Sequence, residues 1–201
     1  MACYEDLSIW RCDFSKPIRR AYHRNPMIHP PAWFERHFDF TFPAQLLPNL
    51  LARLRGTPAR LDETLRHRLP STLTVQPDGP SRSLWSAQEH AGHLADLEPL
   101  WLARVNDFVS GAGILTATDL QNRRTDEANH NARPLEDILF DFRTRRIQLL
   151  NRIATLGPEP FGQTIPHPRL KTPMRLVDHL YFVAEHDDHH LATIWEQTNH
   201  P

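Results

Sequence analysis

From residue 33 onward, apolar residues return every three or four positions through four long stretches of the chain, and almost nowhere in strict alternation. That period puts one apolar stripe along a helix, so the pattern predicts four amphipathic helices and no convincing strand. The first stretch covers 43–69, with Leu47, Leu50, Leu51, Leu54, Leu61 and Leu65 on its stripe. Gly56-Thr57-Pro58 interrupts it with a stop glycine, a capping threonine and a first-turn proline, so one broken helix or two short ones are expected. The second opens at Ser86-Ala87-Gln88-Glu89, a capping box, and runs through Leu94, Leu97, Trp101, Val105 and Phe108 to Ser110-Gly111. The third begins near Pro134 and carries Leu135, Ile138, Leu139, Phe142, Leu149 and Ile153. The fourth starts from a Thr172-Pro173 cap and ends near Gln197. Four such helices make an all-α bundle. Residues 112–133, between the second and third helices, form a polar connection that is long for a compact bundle and is expected to pack over something or to carry function.

Residues 1–31 follow no period and mix Arg, Pro and single aromatics, which reads as a peripheral or poorly ordered extension to a domain spanning 32–201. Hydrophobic content of 40% and charged content of 23% are those of a soluble globular protein. The formal net charge of -1 gives no electrostatic case for nucleic acid or an anionic membrane as partner, which leaves a small molecule. No apolar run approaches the roughly 20 residues of a membrane span. The first residues lack a basic-then-apolar leader pattern, so a cytoplasmic location is expected. Both cysteines, Cys3 and Cys12, sit in the extension without a C-x-x-C motif, so neither a disulfide framework nor a thiolate zinc site is supported. A metal in this chain would be held by histidine and carboxylate.

Histidine is the unusual component, with 13 copies. On the fourth helix Leu176, Leu180, Val183, Leu191 and Ile194 define the buried face, and His186 and His190 fall together on one flank of it. Two His at i and i+4 project from adjacent turns and can grip one metal ion; two inward imidazoles also serve as core histidines bonded to backbone or carboxylate. His179 lies one heptad before His186, His189 points away by about a quarter turn, Asp188 faces the opposite side, and Asp187 projects toward the apolar face. On the second helix His90 and His93 lie on or beside the stripe. Antiparallel packing of these two helices would bring His93 level with His186 and His190, giving three nitrogens and open positions for water or substrate.

Trp85 to Asp96, W-S-A-Q-E-H-A-G-H-L-A-D, followed much later by H-D-D-H-H-L-A, resembles the DinB/YfiT-like superfamily of metal-binding four-helix bundles, over roughly residues 33–197. The family's signature, W-[ST]-x6-H-[LV]-x-D on the second helix and H-x3-H on the last, selects His93, His186 and His190 as metal ligands. The resemblance implies a divalent metal, zinc or nickel, and a low-molecular-weight thiol as co-substrate of an S-transferase acting on a small electrophile. The alternatives are a hydrolase using metal-bound hydroxide and a non-catalytic metal-binding bundle serving a stress response. It also implies that two copies can pair as a homodimer. In H-D-x-x-H, Asp187 echoes the general base of the zincin H-E-x-x-H motif, and it is the candidate catalytic residue. A true zincin is disfavoured, because Asp is a methylene shorter and little chain follows His190. Glu127 and His130 form one E-x-x-H, half of a di-iron motif, without the other carboxylates. Asn129 and His130 could instead cap the pocket. Arg169 is read as an exposed loop residue or a carboxylate binder, Arg143, Arg145 and Arg146 as a charged face, and Glu98 as a weak candidate for supporting the site.

Overall fold

A computed structural model of the chain describes residues 32–77 and 85–199; the extension expected at 1–31 lies outside the described residues. Four long helices dominate: α1 (Leu47–Leu65), α3 (Ala87–Ser110), α5 (Leu135–Ala154) and α7 (Leu176–Asn199), with short helices α2 (Pro70–Leu73), α4 (Arg123–Glu127) and α6 (Glu159–Gly162) between them. Both α1 and α3 pack on α5 and α7, so α1 stands diagonally across from α3, and α5 across from α7. The core runs the length of the bundle, from Leu61, Leu94, Phe142 and Ile194 to Leu54, Phe108, Leu149 and Leu180. Among the described residues no helix is long and apolar enough to cross a membrane.

Local signals set the ends of α3. Ser86 accepts from the Glu89 backbone N–H while the Glu89 carboxylate accepts from that of Ser86, and Gly111 closes the helix at φ 66°. These bonds satisfy groups that a helix terminus otherwise leaves open.

The expected break in α1 does not occur. The helix runs unbroken through Gly56-Thr57-Pro58, with Thr57 and Pro58 both buried. Pro58 has no N–H, so the Leu54 carbonyl four residues earlier loses its helical donor. Arg146 on α5 supplies one instead, with Nη1 3.1 Å from Leu54 O. The same repair recurs next door. Pro99 lies inside α3, and the carbonyl it frees, Ala95 O, accepts from Arg145 Nη1 at 2.8 Å. Arg145 and Arg146 therefore do not simply form a charged face: each mends one proline-broken ladder, and Arg146 is 1% exposed.

The segment before the fourth helix also differs from the expectation of no strand and a cap at Thr172-Pro173. Thr164–Pro166 (β1) and Pro173–Arg175 (β2) pair antiparallel, Ile165 opposite Met174, so Pro173 belongs to a strand and α7 begins at Leu176. Asp178 accepts from the Arg175 backbone N–H at 2.8 Å and closes the start of α7. Strands of three residues carry too few alternations for a period to register.

Candidate metal centre

Helices α3 and α7 run antiparallel: His90 meets His190, while Trp101, eleven residues further along α3, meets His179, eleven residues back along α7. This brings His93 level with His186 and His190. All three side chains are buried, and each offers one ligand atom such that these atoms lie within 4.8 Å of one another. His186 Nε2 and His190 Nε2 are 3.2 Å apart. Two nitrogens bound to one tetrahedral zinc at about 2.0–2.1 Å are separated by roughly 3.4 Å, so this spacing suits a shared ion.

The neighbours fix which nitrogen of His93 faces inward. The Asp96 carboxylate only accepts, so the Thr125 hydroxyl must donate to Asp96 Oδ2 (3.1 Å). Thr125 Oγ1 then accepts from His93 Nδ1–H at 3.0 Å, which leaves the His93 Nε2 lone pair free to bind. His130 Nε2 donates to the same Asp96 oxygen at 2.8 Å. On the other side, His190 Nδ1 lies 2.8 Å from His90 Nδ1; donation from His190 to His90 frees the Nε2 that faces His186.

Electrostatics keep these rings neutral, the protonation state a metal needs. Burial pushes His93 down to about 4, against the pull of Asp96. His186 and His190 lie well below the ordinary histidine range, first through burial and then through neighbouring imidazoles. His90 is pushed down to about 3 for the same reasons. For Asp96 burial opposes ionisation, but bonds from His130 and Thr125 and the charge of Arg124 hold it below the usual carboxylate value.

Aromatic rings wall the centre. Trp85 lies 4.6 Å from His93 and anchors its indole N–H on Asp126 at 2.8 Å. Trp33 and Trp101 stand edge-on to His186 at 4.9 and 5.5 Å. The segment around α4 folds onto the start of α3, where Gln88 donates to the carbonyls of His130 and Arg133. It fits only because residue 92 is glycine; a Cβ there would sit 2.2 Å from the His130 ring.

The other residues that the sequence singles out make contacts of their own. Asp187 is wholly buried, but its oxygens go to Arg146 (2.6 and 3.1 Å) and to the Thr57 hydroxyl (2.8 Å). Arg146 also binds Glu98 (2.5 Å), so α1, α3, α5 and α7 each contribute to one buried network at this level. Burial raises Glu98, which Arg146 only partly offsets. Asp188 pairs with Arg53 and Arg60 on α1. His189 is half-buried beside Trp33, and His179 is packed between Trp101 and Phe108. Glu127 and Asn129 are exposed while His130 is buried on Asp96, so the E-x-x-H pair is split between solvent and interior. Thr125, Trp33 and the binding of His130 to Asp96 had no signal beyond the length of the polar connection that holds two of them.

A family model for the DinB superfamily matches residues 53–194, which contain all three histidines, the whole of α3 and α5, and the part of α7 that carries His186 and His190. The chain belongs to the DinB superfamily. Among solved structures, YfiT from Bacillus subtilis, described as a probable metal-dependent hydrolase with an unusual four-helix bundle topology, aligns with a TM-score of 0.67 at 19% identity. The alignment covers 81% of this chain and 91% of that one, and at this identity it shows the shared fold. No curated protein matches the chain. The diagonal placement of α1 and α3 is thus seen in a member of the DinB superfamily whose helices pack on a YfiT-like plan.

Proposed function

We propose that this protein is a metal-dependent hydrolase of a small molecule, with His93, His186 and His190 holding one divalent ion. The observation that carries this reading is the convergence of three buried, neutral imidazoles with two Nε2 atoms 3.2 Å apart. Three neutral nitrogens suit zinc or nickel and leave coordination positions open. When bound, the metal supplies Lewis acidity, polarising an electrophilic carbonyl and acidifying water or a thiol. The chain's own residues do the rest. Thr125 and His90 hold two ligand rings in the binding tautomer, Asp96 steadies Thr125, and Trp85, Trp33 and Trp101 exclude bulk water from the centre. Asp187 acts as a positioning residue in this reading: clamped by Arg146 and Thr57, it sets the rotation of α7 that presents His186 and His190.

The description of YfiT as a probable metal-dependent hydrolase supports hydrolysis by analogy of fold. The S-transferase implied by the sequence resemblance would use the same centre, with a thiol as nucleophile in place of water. Metal content measured by mass spectrometry tests the shared premise. One equivalent is expected in wild type and in His189→Ala, and none in His93→Ala, His186→Ala or His190→Ala. Metal retained in all three ligand variants, or absent from reconstituted wild type, would sink the reading. Turnover of activated esters and amides by the loaded protein without added thiol then supports hydrolysis, whereas turnover only with thiol selects the transferase.

A further inference from the structure

Beyond Trp101, on the side away from the ligands, the bundle buries a second arginine that differs from Arg146 in one respect. Arg104 is 1% exposed, yet no carboxylate among the described residues lies within ion-pair distance of it. Its Nε donates to Thr116 O at 2.8 Å, and its Nη1 lies 3.0 Å from His167 Nε2. Among the described residues its Nη2 is buried with no acceptor. Asp107, whose charge bears on Arg104, accepts instead from the Thr116 backbone N–H at 2.6 Å. A buried cation without a counter-charge is costly, and a buried donor without an acceptor adds to that cost.

The same shortage of acceptors runs through the neighbourhood. Arg169 Nη2 and Trp101 Nε1 are also buried and unpartnered among the described residues. His167 receives the backbone N–H groups of Arg169 and Leu170 on Nδ1, both at 3.2 Å, and faces Arg104 on Nε2. A neutral imidazole has one acceptor nitrogen, so His167 is asked for one more than it has. Burial and the two arginines hold it neutral, down to about 3, so it adds no charge of its own to the group. Two guanidiniums, one indole N–H and an over-committed imidazole are thus gathered with no carboxylate among the described residues bonded to them; Asp107 acts on Arg104 through its charge alone.

The gathering borders the metal centre. The Trp101 ring lies 5.4 Å from Arg104 Cζ on one side and 5.5 Å from the His186 ring on the other. Phe182 makes a second link, 5.1 Å from both His167 and Trp33, and Trp33 is 4.9 Å from His186. Arg169 is partly exposed, with Cζ over the exposed ring of Phe34 at 5.2 Å, which marks the open side.

We propose that Arg104 and Arg169 bind the oxyanion, carboxylate or phosphate, of the small-molecule substrate whose reacting group sits at the histidine centre. This rests on the metal-centre reading for the second half of the statement only. Guanidinium donors suit both oxyanions through paired N–H bonds, and the unpartnered Trp101 Nε1 offers a third donor. The substrate class is then a small acid with its electrophilic group about an indole's breadth from its anionic end.

Calorimetric titration of succinate and of inorganic phosphate tests this on the intact chain. Wild type stripped with a chelator and the His93→Ala variant are both used, so that binding to a metal does not contribute. Saturable binding of one anion per chain is expected in both, weakened at least tenfold in Arg169→Gln, a partly exposed position whose folding is checked by circular dichroism. Arg104→Lys, which keeps the charge, is expected to retain binding with reduced affinity. Tighter succinate assigns a carboxylate, and tighter phosphate assigns a phosphate. No saturable binding to either preparation, or binding that Arg169→Gln leaves unchanged, overturns the proposal. Because the titrations need no metal, that failure is distinct from failure of the metal-content experiment. In turnover assays on the loaded protein, Arg169→Gln should raise KM for a carboxylated ester while leaving that of its neutral analogue unchanged.

Discussion

Replacing Arg146 with methionine should be among the most damaging single changes in the bundle, and its cost can be assembled from named contacts. The guanidinium engages Asp187 at 2.6 Å, Glu98 at 2.5 Å and Leu54 O at 3.1 Å, all in the interior. Breaking a buried ion pair from one side costs about 3–5 kcal/mol, because the partner charge is left behind. The Leu54 carbonyl adds about 1–3 kcal/mol, since Pro58 cannot take over as donor. The sum is a large part of the roughly 5–15 kcal/mol that stabilises an ordinary domain. Urea denaturation of chelator-treated protein would show it as a midpoint lowered by about 2 M or more, or as failure to fold.

The pH dependence of that loss identifies its source. Glu98 already sits above the usual carboxylate value through burial, and without Arg146 it rises further. The folded variant then holds a proton that the unfolded chain has released above its own pKa of about 4.3. Stability of the variant relative to wild type therefore falls as pH rises, by up to about 1.4 kcal/mol per pH unit for one such group. The loss should be clearly smaller at pH 5 than at pH 7.5. Adding Pro58→Ala to the variant restores a backbone donor to Leu54 and should return about 1–3 kcal/mol. A loss under 1 kcal/mol, or one identical at both pH values, would refute the reasoning.

Three further outcomes are expected. Arg145→Ala should cost about 1–2 kcal/mol by stranding Ala95 O, and Pro99→Ala should remove most of that cost, which a double-mutant cycle in urea measures. Gly92→Ala would gain up to about 1 kcal/mol of helix propensity but force a Cβ to 2.2 Å from the buried His130 ring, so melts should show net destabilisation and metal titration a weaker site. In metal-free protein His90 and His93 titrate near 3 and 4, below an unfolded value of about 6.5. Their folded values are depressed, so their contribution is intact above pH 6.5 and is lost as pH falls, by about 3 kcal/mol per pH unit for the two together near pH 5; urea midpoints unchanged between pH 7 and 5 would contradict this.

The parts legible in the sequence were those encoded within a few residues. The capping box at Ser86–Glu89 and the stop at Gly111 are local bonds, and local patterns disclosed them. His186 and His190 are four apart on one helix, so their shared face follows from helical geometry alone. Gly56-Thr57-Pro58 misled because the group that rescues the helix, Arg146, lies 92 residues from the carbonyl it repairs. Arg145 and Arg146 read as surface charge for the same reason: burial of a charge depends on partners from other helices, which no period reports. The β-hairpin escaped because its strands are three residues each. The polar connection was legible as excess length, but that Thr125 would serve His93 and His130 would serve Asp96 required the fold.

A buried ionic network seldom adds stability over well-packed apolar side chains, so its value in this bundle lies elsewhere. Thr57, Glu98, Arg146 and Asp187 come one from each long helix, and Asp187 is the immediate neighbour of His186, one of the three proposed ligands. One residue along a helix turns the side chain by about 100°, so a small rotation of α7 would move His186 and His190 off the proposed centre while an apolar core could still close. The network forbids that rotation, because only one setting gives Asp187 both Arg146 and Thr57. Replacing the set together, Arg146→Met with Glu98→Leu and Asp187→Leu, separates the two roles. The triple variant should recover most of the stability that Arg146→Met alone loses, yet bind metal at least tenfold more weakly than wild type in competition with a chelator. Wild-type metal affinity in a stable triple variant would show that apolar packing by itself is enough to aim the histidines.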